Sequence, residues 1–198
     1  MKMTRLEKLL VNTPFRALHQ RLVATNFFLR HSQLPNRSFC LEIGCGQGAG
    51  VKLILEKFNA RQVTALDYDI EQLRLAQRRI RSGEHHNVHL LVSDAASLCF
   101  TKAQFDAVFD YGILHHVPDW TKALSEIYRV LKPKGFFFYE EILKPVLTNY
   151  LFAKLFPHPP EGYFTRLEFE HILTQAGFTV IRRRQFAVSY LLGVARKP

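Results

Sequence analysis

Residues 41–50 read LEIGCGQGAG and place Gly44, Gly46 and Gly48 at alternate positions directly behind the apolar run FCLEI. Glycines so spaced let the backbone turn sharply and come close to a ligand that side chains would hold off. Glu42 stands two residues before the turn, and a carboxylate there suits a positively charged ligand better than a pyrophosphate. Gly44, Gly46 and Ala49 also satisfy the G-x-G-x-x-G/A spacing of a dinucleotide site. The turn alone therefore leaves a phosphate, a dinucleotide or a small charged cofactor open. Cys45, between two of the glycines, reads as a small residue that fills the turn.

The same chemistry recurs wherever an apolar run ends in an acid. Asp67 closes QVTALD roughly twenty residues beyond the turn, where a nucleotide site keeps the carboxylate that accepts both ribose hydroxyls. Asp69 can cap the helix that follows, with Gln72 three residues on, which leaves Asp67 to the ligand. Asp94, followed by Ala95, is either an acceptor for an adenine amino group or a turn residue. Asp110 closes FDAVFD and, through Tyr111, leads into Gly112-Ile113-Leu114-His115-His116. Adjacent histidines cannot share one helical face and have no third ligand at a diagnostic spacing, so no metal is expected. One of them is a candidate base or orienting group, and packing is the alternative.

These side chains need a scaffold that brings strand ends together. Strands are expected at 38–43, 62–67, 88–93, 105–110, 136–141, 178–184 and 189–196, with helices at 50–58, 70–81, 120–131 and 166–176. Alternation of this kind predicts an α/β domain, a mostly parallel sheet covered on both faces. The last two strands, joined by a short turn, predict an antiparallel edge. In such sheets ligands lie beyond the C-terminal strand ends, where Glu42, the glycines, Asp67, Asp94 and Asp110 all fall. An N-terminal helical region occupies 1–37, and 142–165 is longer than an ordinary connection. That insertion is read as a lid or wall over an acceptor site, as a segment lying on a membrane surface or partner, or as core packing against the N-terminal helix.

With 198 residues and 47% hydrophobic composition, one domain is expected. Cys40, Cys45 and Cys99 form no ligand spacing, which fits a reducing, cytoplasmic setting without a disulfide scaffold or structural zinc. No secretory signal and no transmembrane segment is expected. The formal charge of +10 would draw anionic partners, but the basic residues lack the aromatic interleaving of a nucleic-acid platform, so nucleic acid is not the favoured partner.

Taken together, these residues resemble the class I S-adenosylmethionine-dependent methyltransferases, particularly the group acting on quinones, sterols and phospholipids. The carrying strings are LEIGCGQG, ALDYD, the Asp94-Ala95 pair, FDAV with LHHV, and LKPKGF, in order from about Phe39 to Phe138. The resemblance implies a Rossmann-like sheet of order 3-2-1-4-5-7-6 with strand 7 reversed, and S-adenosyl-L-methionine as cofactor. It assigns the ribose to Asp67, the adenine to Tyr68, Asp94 and Ala95, and the methionine end to Asp110 and Tyr111. The expected cofactor residues are thus Glu42, Gly44, Cys45, Gly46, Gly48, Asp67, Tyr68, Asp94, Ala95 and Asp110. Tyr111, His115 and His116 are acceptor-side candidates, with His116 the expected base. The expected reaction is in-line methyl transfer to a small or lipid-like acceptor. A nicotinamide-dependent oxidoreductase, an RNA methyltransferase and a non-catalytic cofactor-binding protein are the competing readings.

Overall fold

The computed structural model describes residues 13–81, 87–155 and 160–198. Residues 1–12 of the expected N-terminal helical region and 156–159 of the expected insertion lie outside them. The seven strands are β1 (Phe39–Ile43), β2 (Gln62–Asp67), β3 (Val88–Val92), β4 (Phe105–Tyr111), β5 (Leu131–Ile142), β6 (Thr179–Phe186) and β7 (Tyr190–Arg196). They form one sheet of order β3-β2-β1-β4-β5-β7-β6, with β7 antiparallel to both neighbours. The order and the reversed strand are those that the resemblance implies.

Strand β1 is buried on both faces after its first residue, as expected of a parallel strand covered on both sides. Its period of two sends Cys40 and Glu42 to one face and Leu41 and Ile43 to the other. The first face carries a core layer with Val63, Phe109 and Phe138, and the second a layer with Leu66, Val108 and Phe137. Phe109 and Phe138 stack with centroids 4.6 Å apart, and Phe58 meets Phe109 edge-on at 4.8 Å.

Over the Glu42 face lie α1, α2 (Ala49–Phe58) and α3 (Ile70–Arg81). Helix α1 is continuous through Pro14–His19, a π-helical turn Gln20–Ala24 and Thr25–Arg30. Thr13 caps it, accepting from the Arg16 N–H at 3.3 Å. Asp69 caps α3 as expected, accepting from the Glu71 N–H at 3.0 Å. Over the opposite face lie α4 (Trp120–Val130) and α7 (Arg166–Gln175). In α4, Asp119 is the cap, and Trp120, Ala123, Leu124, Ile127 and Val130 make the buried stripe. In α7, Thr165 and Glu168 form a full capping box.

Most expected boundaries shift by no more than two residues, and two regions depart further. Strand β5 begins at Leu131 rather than at 136, because Leu131 already pairs with Phe105 before a register shift. The described part of 142–165 folds into α5 (Lys144–Leu147), α6 (Tyr150–Leu155) and a short 3₁₀ turn, Pro160–Gly162. Its two ends are tied where the Lys144 N–H donates to the Phe164 carbonyl at 2.9 Å. Phe164 is fully buried against Trp120, with centroids 4.7 Å apart. This end of the insertion packs against α4 and α7.

Candidate active site

The glycine turn forms because three residues take the left-handed conformation: Gly44 at φ +63°, Gly46 at +51° and Gly48 at +81°. Gly48 is the residue before α2, so the turn presents that helix's first N–H groups to the pocket. Gly44 has a second requirement, since a Cβ there would overlap the Ile113 side chain. Cys45 is 5% exposed, and burial, then the Glu42 and Asp67 charges, hold its thiol well above the ordinary range. It fills the turn.

Asp67 fastens that turn. Its Oδ2 accepts from the Gly46 N–H at 2.9 Å and its Oδ1 from the Asp69 N–H at 2.8 Å. Beyond it opens a cavity of about 270 Å³, lined by Gly44, Tyr68, Asp94, Ala95, Ile113 and His116 among others. Tyr68 is 56% exposed, and the Asp94 Oδ1 accepts from the Ala96 N–H at 2.9 Å to shape its own loop. Five of the expected residues thus line one cavity, Gly44, Tyr68, Asp94, Ala95 and His116, whereas Glu42, Cys45, Gly46, Gly48 and Asp67 do not line it.

Glu42 lies beneath α2, 2% exposed, and its Oε2 has no hydrogen-bond partner among the described residues. Burial first, then the nearby Asp67 and Asp110 carboxylates, push its carboxyl well above the ordinary carboxylate range. An unpaired buried acceptor of this kind calls for a donor or a cation.

The far end of the site differs from expectation. Asp110 does not line the cavity: fully buried, its Oδ1 accepts from Gly112 N–H at 3.0 Å and Ile113 N–H at 2.9 Å. Glu141 takes the next N–H, that of Leu114, at 2.8 Å, and its other oxygen lies 2.5 Å from His115 Nδ1. Burial raises both carboxyls; contact with Glu141 lifts Asp110 further, whereas the Asp110 hydrogen bond and the Leu114 and His115 N–H groups draw Glu141 back, to about 7. Together they shape the turn that carries Ile113 and His116 to the cavity.

Tyr111 is corrected as a catalytic candidate. It points to the opposite face of the sheet, where its hydroxyl meets Thr25 Oγ1 at 3.2 Å and its ring packs on Phe28. The two histidines part company as well. Their rings lie 4.3 Å apart, but among them only His116 faces the cavity, with Tyr68 and Asp94. His115 is 2% exposed and held by Glu141, beside Gly112. The expected base, His116, therefore sits with Tyr68 and Asp94, the residues expected around the adenine.

A second buried cluster, absent from the sequence expectations, closes the other side of Gly112. Arg16 of α1 forms an ion pair with Glu140 and donates to the Tyr111 carbonyl at 2.7 Å. Burial works to raise the Glu140 carboxyl, but the Arg16 charge first, then the neighbouring His19 and Tyr190, hold it below the ordinary range. Glu140 and Glu141 end an apolar strand just as Asp67 does, so the rule applied to Asp67 would have flagged them.

Residues 41–139 match the family model described as a methyltransferase domain. A fatty-acid O-methyltransferase of Mycolicibacterium smegmatis is 33% identical over 104 residues, 51% of this chain and 36% of the relative. A demethylmenaquinone methyltransferase of Listeria welshimeri is 33% identical over 96 residues, 48% of this chain and 41% of the relative. The chain thus spans less than half the length of these curated relatives. A SAM-dependent methyltransferase from Aquifex aeolicus shares the fold, with a TM-score of 0.76 at 20% identity over 100% of both chains.

Proposed function

Because the chain belongs to the methyltransferase-domain family, whose model spans half of it, we propose that it transfers a methyl group from S-adenosyl-L-methionine to a small, lipid-like acceptor. The observation that carries this reading is the unpaired Glu42 carboxylate oxygen buried at the glycine turn. A cationic cofactor relieves that burial, whereas a pyrophosphate would meet a wall of carboxylates. When bound, S-adenosyl-L-methionine supplies an electrophilic methyl on a sulfonium sulfur.

The chain's own residues hold, orient and handle protons. In this reading the Asp67 carboxylate accepts the ribose hydroxyls while keeping its two backbone bonds. Tyr68, Asp94, Ala95 and His116 wall the nucleoside, and the glycine turn, with Glu42 buried behind it, holds the amino-acid end. The acceptor approaches on the Gly112 side, where Arg16 packs against the turn and must move aside, and in-line displacement then needs alignment above all. Where the acceptor is a hydroxyl or carboxyl, His115 takes the proton, its ring oriented by Glu141 as a carboxylate orients a catalytic imidazole. The fatty acid and demethylmenaquinone in the two relatives' names favour an apolar acceptor. So does the apolar segment 142–155, whose exposed Tyr150 also fits peripheral contact with a membrane surface.

Incubation with methyl-labelled cofactor and separate lipid, small-metabolite and RNA fractions tests the reading. Label is expected in an organic-soluble product. Cofactor binding without any transfer, or label in RNA, would overturn it.

A further inference from the structure

The chain's charge is concentrated. Residues 13–31, 142–155 and 178–190 carry eight of the 27 Lys and Arg and none of the 17 Asp and Glu, so the remainder is close to neutral. The three segments meet in space. His19 of α1 packs edge-on against Tyr190 with ring centroids 5.3 Å apart, and Tyr190 pairs with Ile142 across β7 and β5. The Leu143 N–H donates to the Ser189 carbonyl at 2.8 Å. Helix, insertion and hairpin turn are therefore gathered at the C-terminal end of β5, next to Gly112.

Apolar side chains face solvent at this place. Helix α1 exposes Phe15 (79%), Leu18 (52%) and Leu22 (55%), three residues along one side. Its other side is already packed through Ala24, Thr25 and Phe28, and Arg16 ties it to Glu140. The exposed stripe is thus not a helix face that the core has failed to receive. On β6, Arg182 pairs with Val194 and Arg184 with Leu192, both members of the core layer beneath α1. Paired residues share a sheet face, so these two arginines stand on the side of α1, while Arg183 turns away to Glu170 at 2.8 Å.

We propose that this face docks on an anionic lipid surface, with Phe15, Leu18 and Leu22 entering the headgroup boundary and Arg21, Arg182 and Arg184 meeting lipid phosphates. Charge complementarity chooses the occupant. A second copy of the chain would set two acid-free, arginine-bearing surfaces against each other. A nucleic acid would use the arginines but leave most of the apolar stripe in water. An apolar stripe with arginines and no acids has the composition of an interfacial helix. Docking would also set the Gly112 side of the site at the lipid, so that an apolar acceptor enters without crossing water. That consequence rests on the methyl-transfer reading, whereas the docking does not.

Co-sedimentation of the full chain with phosphatidylcholine vesicles, with and without phosphatidylglycerol, tests this at low and high salt. Binding is expected to need phosphatidylglycerol and to weaken with salt. Replacing Phe15, Leu18 and Leu22 together by Ser should reduce it about tenfold or more, and R182Q/R184Q should flatten the salt dependence. Melting midpoints and calorimetric cofactor affinity should stay unchanged in both variants, which separates failure of docking from failure of the methyl-transfer reading. Absence of binding, binding unaltered by both variants, tighter binding to RNA, or a concentration-dependent dimer abolished by the Ser variant would each overturn the proposal.

Discussion

Gly50 lies directly over Glu42: a Cβ at Gly50 would overlap a carboxylate oxygen of Glu42 and press on the Tyr111 ring. Helix α2 can therefore close over the buried acid only without a side chain there. Gly50→Ala should gain about 1 kcal/mol of helix propensity and still lose stability, since the carboxylate must move. Thermal unfolding checks it: a lower melting point is expected, and an unchanged or higher one would show that the contact is slack.

Asp67 has two backbone bonds to keep as well as the ligand to hold. Asp67→Ala should weaken cofactor binding by about 1.5–3 kcal/mol and lower the melting point of the ligand-free protein. Titration calorimetry with unchanged affinity would contradict the ribose assignment.

The Arg16–Glu140 pair holds α1 against the strand ends, with the Arg16 side chain 25% exposed and that of Glu140 1%. Arg16→Met leaves a buried carboxylate without its cation, which should cost about 3 kcal/mol, the lower end for such pairs because Arg16 is partly solvated. Adding Glu140→Gln should recover part of the loss. Because the folded-state Glu140 carboxyl is held below its ordinary value, its contribution is present above the carboxylate range and fades as pH falls through it. Denaturant unfolding of both variants across that range is the check.

The histidines separate by assay. His115→Gln should lower turnover about a hundredfold or more on a hydroxyl or carboxyl acceptor with cofactor affinity kept. His116→Ala should weaken the cofactor and spare turnover at saturation. Tyr111→Phe should do neither, since its hydroxyl serves Thr25 on the far face. Single-turnover transfer and calorimetry on the three variants decide, and a turnover loss confined to His116→Ala would restore it as the base.

Much of this was legible in the sequence for a physical reason. Buried parallel strands are continuous apolar runs, and the acids that end them fall at one edge of the sheet, so Glu42, Asp67 and Asp94 declare themselves. Tyr111 went astray although the signal was present: neighbours on a strand face opposite ways, so Asp110 and Tyr111 could not share a wall. The Arg16–Glu140 pair joins residues 124 apart, and no local pattern announces it. Nor does spacing tell which of two adjacent histidines a distant Glu141 will hold.

In the methyl-transfer reading, buried carboxylates around the glycine turn select a sulfonium. Burial, Asp67 and Asp110 hold the Glu42 carboxyl above its ordinary value, and a bound cation favours its ionised form. Affinity for S-adenosyl-L-methionine should therefore rise with pH from the ordinary carboxylate range through the raised value, with proton release on binding. Calorimetric titration of S-adenosyl-L-methionine, S-adenosylhomocysteine and NADH in mildly acidic and mildly alkaline buffers measures this directly. Binding of both sulfur nucleosides is expected, with a steeper pH dependence for the sulfonium and no binding of NADH. Preference for NADH, or no binding of the sulfonium at either pH, would contradict it.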